Sequence, residues 1–148
     1  SDHAPLHLAI QAATKQGVLV VAAAGNHALT GPCPVYPAEY PEVFSVAALD
    51  DATTVADYSC RGANVELAAP GTRVVSTWKD GGYQELTGTS MAAPHVAGIA
   101  ALLKSRFPSM DGAALRARLD ATAVELGAPG RDADSGYGRV DPFAALTT

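Results

Sequence analysis

Gly88-Thr89-Ser90-Met91-Ala92-Ala93-Pro94-His95-Val96-Ala97-Gly98 is the stretch on which the reading of this chain turns. It sets one serine where a strand-like apolar segment gives way to a long helix of small residues. A hydroxyl at a helix N-terminus lies among unpaired backbone N–H groups and at the positive end of the helix dipole. Such a place suits a nucleophile whose attack on a carbonyl makes an oxyanion, and it equally suits a plain N-cap. Ala92, Ala93, Ala97 and Gly98 keep the helix surface small, which predicts close packing on a sheet. Pro94 removes one helical hydrogen bond.

Upstream, Val18-Leu19-Val20-Val21-Ala22-Ala23-Ala24-Gly25-Asn26 is an apolar run of strand length closed by glycine and a single amide. On its own, Asn26 reads as a turn residue or as a side-chain donor. The two blocks together resemble the subtilisin-like serine proteases (subtilases), residue for residue over more than ten positions around Ser90. A two-donor oxyanion hole and an Asp–His–Ser triad are established chemistry of that family. The resemblance implies that Ser90 is the nucleophile, with Asn26 and the Ser90 N–H holding the oxyanion and Thr89 and Met91 supporting them. Ala23, Ala24 and Gly25 would then form one wall of the pocket for the residue before the scissile bond. Tyr36, Pro37 and Ala38 would form the other, with an extended peptide laid between them. A largely apolar pocket is implied, with His27 the one candidate charge at its rim.

The family's aspartate and histidine precede the asparagine block, and nothing before Asn26 resembles them. His3, His7, His27 and His95 all lack the family's histidine context. His95, five residues after Ser90, does not share its helical face well and reads as a structural imidazole bonding backbone. Asp134-Ser135-Gly136 follows a polar stretch and reads as a surface turn. The chain is therefore expected to be the C-terminal part of one subtilase catalytic domain, spanning 1–148 with no internal boundary. Its catalytic partners are expected on an upstream N-terminal segment. A catalytically inert fragment or interaction module is the alternative.

The fold expected is α/β: part of a doubly wound, mainly parallel sheet with helices on both faces and its N-terminal strands missing. Along the chain this means a helix from Pro5 to Gly17 with Leu6, Ala9, Ile10 and Ala13 inward. Strands follow at 18–24, 44–49 and 65–68, the last ended by Pro70-Gly71, with a turn-rich loop over 27–42. A hairpin through Gly81-Gly82 feeds the Ser90 helix, which runs to about Phe107-Pro108. Asp111 caps the next helix, with Ala114, Leu115 and Leu119 inward, and Gly138 to Pro142 opens a last short one.

Composition limits the alternatives. With 48% hydrophobic and 17% charged residues, 148 residues suffice for a real core. A dispersed net charge of −5 and the lack of a basic stripe argue against nucleic acid. No apolar run reaches the roughly 18 residues of a membrane span, and no signal peptide opens the chain as given. Resemblance alone places the protein outside the cell. Cys33 and Cys60 read either as two buried thiols or as one disulfide. Carbonyls of Ala38, Tyr40 and Val43 near Glu66 resemble a structural calcium site of some subtilases, with Asn64 where an acid often stands. The chemistry itself calls for no metal or cofactor.

Half of a parallel sheet exposes an apolar strand edge. The 148-residue polypeptide expressed alone is accordingly expected to aggregate, or to fold only with an N-terminal partner segment. A monodisperse, cooperatively melting 15.1 kDa monomer by light scattering and calorimetry would contradict that.

Overall fold

In a computed structural model that describes residues 2–147, the chain begins with helix α1 (Ala4–Lys15), opened by a proline in its first turn. The chain leaves α1 through Gly17, at φ +81°, and enters strand β1 (Val20–Ala23). Residues 17–19 are not strand, because they pass close over the start of a later helix. The Gly112 N–H donates to the Gly17 carbonyl at 2.7 Å. A Cβ on Gly112 would lie 2.8 Å from the Leu19 nitrogen.

Strands β2 (Val43–Leu49) and β3 (Val65–Pro70) complete a three-stranded, all-parallel sheet in the order β1-β2-β3. All seven β2 residues are buried, as a central strand covered on both faces requires. The outer side of β3 is closed by the C-terminal segment: the Ala68 N–H donates to the Gly138 carbonyl at 2.8 Å and the Val140 N–H to the Ala68 carbonyl at 3.0 Å. Among the described residues β1 pairs only with β2. Strands β4 (Val74–Thr77) and β5 (Tyr83–Leu86) form the expected antiparallel hairpin, with a 3-10 turn at Lys79–Gly81.

Helix α2 (Thr89–Arg106) lies across the sheet and touches all three strands. Ala92, Val96, Ile99, Ala100 and Leu103 recur at helical spacing and pack on Phe44, Val46, Ala48, Leu67 and Ala69. Ala97 and Gly98 are exposed. They do not make the contact expected of them, because the 100° step per residue carries them to the opposite side of α2. Helix α3 (Gly112–Ala121) is capped by Asp111, whose Oδ1 accepts the Ala114 N–H at 2.9 Å, and it buries Leu115 and Leu119. Helix α4 (Pro142–Thr147) packs against α2 and buries Ala145.

The other sheet face is covered at one end by α1 and at the other by the 27–42 loop. The inward side of α1 differs from expectation. Ile10 is buried, but Leu6 is 42% exposed and Ala9 is exposed. The half-buried polar residues His7 and Gln11 take their place, since both bond Glu42. Cys33 and Cys60 form a disulfide with a Cα separation of 5.4 Å, which ties the loop to the segment after β2. The chain-entropy account gives a bridge across a segment of that length a stabilisation of about 3.5 kcal/mol.

Leu103 is fully buried between α2 and the sheet. Leu103→Ala is expected to cost about 2–5 kcal/mol of unfolding free energy. Chemical denaturation of the folded protein checks this, and a loss under about 1 kcal/mol would show that the α2–sheet contact is not the main core.

Candidate active site

Two chain segments meet where β1 ends and α2 begins. Asn26 stands three residues past the end of β1, and Thr89 and Ser90 are the first two residues of α2. The Asn26 Oδ1 accepts two hydrogen bonds at 2.8 Å, from the Thr89 backbone N–H and from the Thr89 hydroxyl. A backbone N–H can only donate, so the atom facing it must be the amide oxygen. The Asn26 NH₂ is thereby left pointing away from Thr89. The same hydroxyl accepts the Gly25 N–H at 3.1 Å, and Thr89 is buried. Thr89 was anticipated only as a supporting residue; the geometry shows how it positions the amide.

Two glycines make this approach possible. Gly25 has φ +113°, and a Cβ there would lie 2.6 Å from the Val35 side chain. Gly88 has φ +154°, and a Cβ there would lie 3.0 Å from the Asn26 Nδ2.

Gly88 is the N-cap of α2 and Ser90 stands inside the first turn, so the alternative of Ser90 as the cap does not hold. Its side chain is exposed. Of the first backbone N–H groups, that of Thr89 is taken by Asn26 and that of Met91 by the Gly88 carbonyl at 2.9 Å. The Ser90 N–H has no acceptor among the described residues. Two donors, the Asn26 amide and the Ser90 N–H, are thus left beside an exposed hydroxyl at a positive helix end. Ser90 opens on a cleft of about 320 Å³ shared with Met91, Pro94, His95 and residues of β4. His95 turns its Nδ1 to the Met91 carbonyl at 2.8 Å, the backbone bond expected of it.

Of the anticipated substrate walls, Ala23 is half-buried at the end of β1, while Ala24 and Gly25 are buried. The Gly25 carbonyl accepts the Cys60 N–H at 2.8 Å. Tyr36 and Pro37, joined by a cis peptide bond, are half-buried and Ala38 is buried.

The residues of the anticipated cation site do not fit calcium. The Ala38 carbonyl accepts the Asn64 amide at 3.3 Å, and the Tyr40 carbonyl accepts the Val43 N–H at 2.9 Å. Glu66 is gripped at both oxygens by Arg116, at 2.6 and 2.7 Å, with Arg131 at 3.5 Å. Two guanidinium groups therefore stand where a divalent cation would have to approach. Among the described residues no group of three acids, histidines or cysteines is placed to hold a metal.

Asp120, one helical turn beyond Arg116, joins this cluster with a buried Oδ1 that has no donor. Burial would raise Glu66, but the Arg116 bonds and the charge of Arg131 hold it below the usual carboxylate range. Burial first, and then the Glu66 charge, push Asp120 up to about 8. Sequence reading missed Arg116, Arg131 and Asp120. The four-residue spacing of Arg116 and Asp120 was visible, but their partner on β3 was not.

A family model described as the subtilase family matches residues 1–138. The chain is 46% identical over 129 residues to the thermostable alkaline protease of Halalkalibacterium halodurans, covering 87% of this chain and 35% of that protein. It is 42% identical over 147 residues to the minor extracellular protease Epr of Bacillus subtilis, covering 99% and 23%. It is 43% identical over 129 residues to subtilisin DY of Bacillus licheniformis, covering 86% and 47%. The chain thus spans between about a quarter and about half the length of these curated relatives.

Asp120 yields a pH dependence of stability. Unfolded, it titrates near 3.8 and folded near 8, so between those values the folded state holds one proton more. Its contribution is whole below about pH 4, declines as pH rises, and is gone above about pH 8. Glu66, held low, acts oppositely and loses its contribution on acidification. Asp120→Asn should flatten the fall in Tm between pH 5 and 8 and raise Tm at pH 8, as scanning calorimetry can show. An unchanged slope would remove Asp120 as its source.

Proposed function

Because the chain belongs to the subtilase family, we propose that it is the C-terminal part of the catalytic domain of a secreted serine endopeptidase. The observation that carries this is the Asn26 amide, held by Thr89 so that among the described residues its N–H groups have no acceptor, beside a Ser90 N–H that has none either. Ser90 Oγ attacks the peptide carbonyl while a histidine on an upstream segment takes its proton. An aspartate on the same segment orients that histidine. The Asn26 Nδ2–H and the Ser90 N–H receive the oxyanion. Its collapse expels the amine, which takes the proton from the histidine, and leaves an acyl-enzyme on Ser90. Water, deprotonated by the same histidine, attacks the acyl carbon and releases the second product. The steps use no metal or cofactor. The peptide lies between the Ala23–Gly25 end of β1 and the Tyr36–Ala38 segment, and the walls are largely apolar. Location outside the cell follows the Bacillus subtilis relative, whose name calls it extracellular. No described helix is long and apolar enough to cross a membrane.

A second reading, an inert fragment or interaction module, draws on one fact. None of His3, His7, His27 and His95 bonds Ser90 among the described residues, and the His95 ring is engaged at Met91. The described residues alone thus supply Ser90 with no base, and little rate is expected from them.

Intact-mass analysis after a fluorophosphonate probe separates the two. One adduct mapping to Ser90 is expected when the upstream segment is present, and its loss is expected in Ser90→Ala. No adduct on folded protein carrying that segment would overturn the protease reading in favour of the inert one.

A further inference from the structure

The Ala23–Gly25 wall hangs directly on the sheet, but the Tyr36–Ala38 wall does not. Among the described residues that segment makes no backbone pairing with the sheet: it is held by local turns, from the Glu39 N–H to the Val35 carbonyl at 3.1 Å and from the Tyr40 N–H to the Pro37 carbonyl at 3.0 Å, and by the Asn64 amide on the Ala38 carbonyl at 3.3 Å. Its distance from β1 is therefore set by side chains, and these converge on Tyr40. The Tyr40 ring is buried, stacks on the His7 ring at 3.9 Å and 6°, and meets the Tyr36 ring at 4.9 Å. Its hydroxyl donates to the Asp2 carboxylate at 2.7 Å and accepts the His3 N–H at 3.0 Å. His7 is held in turn by Glu42, its Nε2 lying 2.9 Å from Oε2, while Gln11 donates to the other Glu42 oxygen at 2.9 Å. These polar residues occupy the α1 side where apolar ones were expected.

We propose that His7 and Tyr40 are positioning residues for substrate selection: α1, through the His7–Tyr40 stack, fixes the Tyr36–Ala38 wall and with it the size of side chain accepted before the scissile bond. This rests on reading that segment as a pocket wall. Neither residue touches substrate. The His7 ring closes a side-chain path from α1, which leads directly into β1, back to the wall facing the end of β1. With the stack lost, Tyr40 keeps its hydroxyl bonds to Asp2 and His3 but loses its clamp against the α1 side chain. The Tyr36 ring it meets loosens with it, and a large side chain must order the wall on binding. Small side chains, which reach the wall less, lose less.

The test uses the protein carrying its upstream segment and three peptides that differ only in alanine, leucine or phenylalanine before the cleaved bond. In His7→Ala, KM for the leucine and phenylalanine peptides should rise about three- to tenfold, the range that loss of one aromatic pair gives. The alanine peptide should change less than about twofold, and kcat should hold for all three. His7→Phe, which keeps the stack and loses the Glu42 bond, should restore the wild-type pattern. Tyr40→Phe, which keeps the ring and loses only the hydroxyl bonds, should shift KM in the same direction by less, and it serves if His7→Ala fails to fold. Tyr36→Ala tests the wall itself. If Tyr36→Ala alters the size preference while His7→Ala and Tyr40→Phe do not, the wall stands and the positioning role falls. If Tyr36→Ala leaves the preference unchanged, the wall reading falls and this inference with it. An equal change on all three peptides, or no rescue by His7→Phe, would reduce His7 to a general structural role.

Discussion

One hydroxyl joins the fold to the site. Thr89 Oγ accepts the N–H of Gly25 at the end of β1 and donates to Asn26, while its own backbone N–H bonds the same amide. Strand end and helix start are thereby held together at the point where Ser90 and the Asn26 amide lie. The large apolar interface of α2 with the sheet brings the two elements close, but hydrophobic contact has no direction. The threonine bonds have direction, and they decide which end of the Asn26 amide faces outward. Packing supplies the proximity and the polar clasp supplies the orientation.

A second polar cluster does comparable work on the opposite edge. Glu66, almost fully buried on β3, is matched by Arg116 from α3 and Arg131 from the C-terminal segment. Neither arginine is fully sunk, so each guanidinium keeps some contact with water while satisfying the carboxylate. Asp120 then enters an already committed site, and it settles there by keeping its proton. The cluster holds three elements far apart in sequence with one buried anion as its hub.

What the sequence disclosed was local. The start of the Ser90 helix, the Asp111 cap and the hairpin are all written in neighbouring residues, and so is the β1 run, although its strand begins at Val20 and not at residue 18. What it withheld depended on partners far along the chain. The Asn26 orientation needs Thr89, 63 positions away, and the inward side of α1 needs Glu42, 35 positions from His7. Apolar periodicity pointed to Leu6, but a stacked imidazole and an amide occupy that interface because Tyr40 and Glu42 lie opposite. Likewise, spacing alone cannot place one sulfur against another. The Cys33–Cys60 pairing became visible only once the loop was seen folded over the sheet.

That pairing has a further consequence for how the chain tolerates a broken backbone. The exposed turn at residues 50–54, between the two cysteines, is the kind of backbone that proteases nick. Any single cut between residues 33 and 60 leaves both new ends covalently joined through the sulfurs. The hydrogen bond from the Cys60 N–H to the Gly25 carbonyl holds the joined piece against the end of β1. A molecule scarred in this way keeps its parts in register, so wear at the surface need not become loss of the centre.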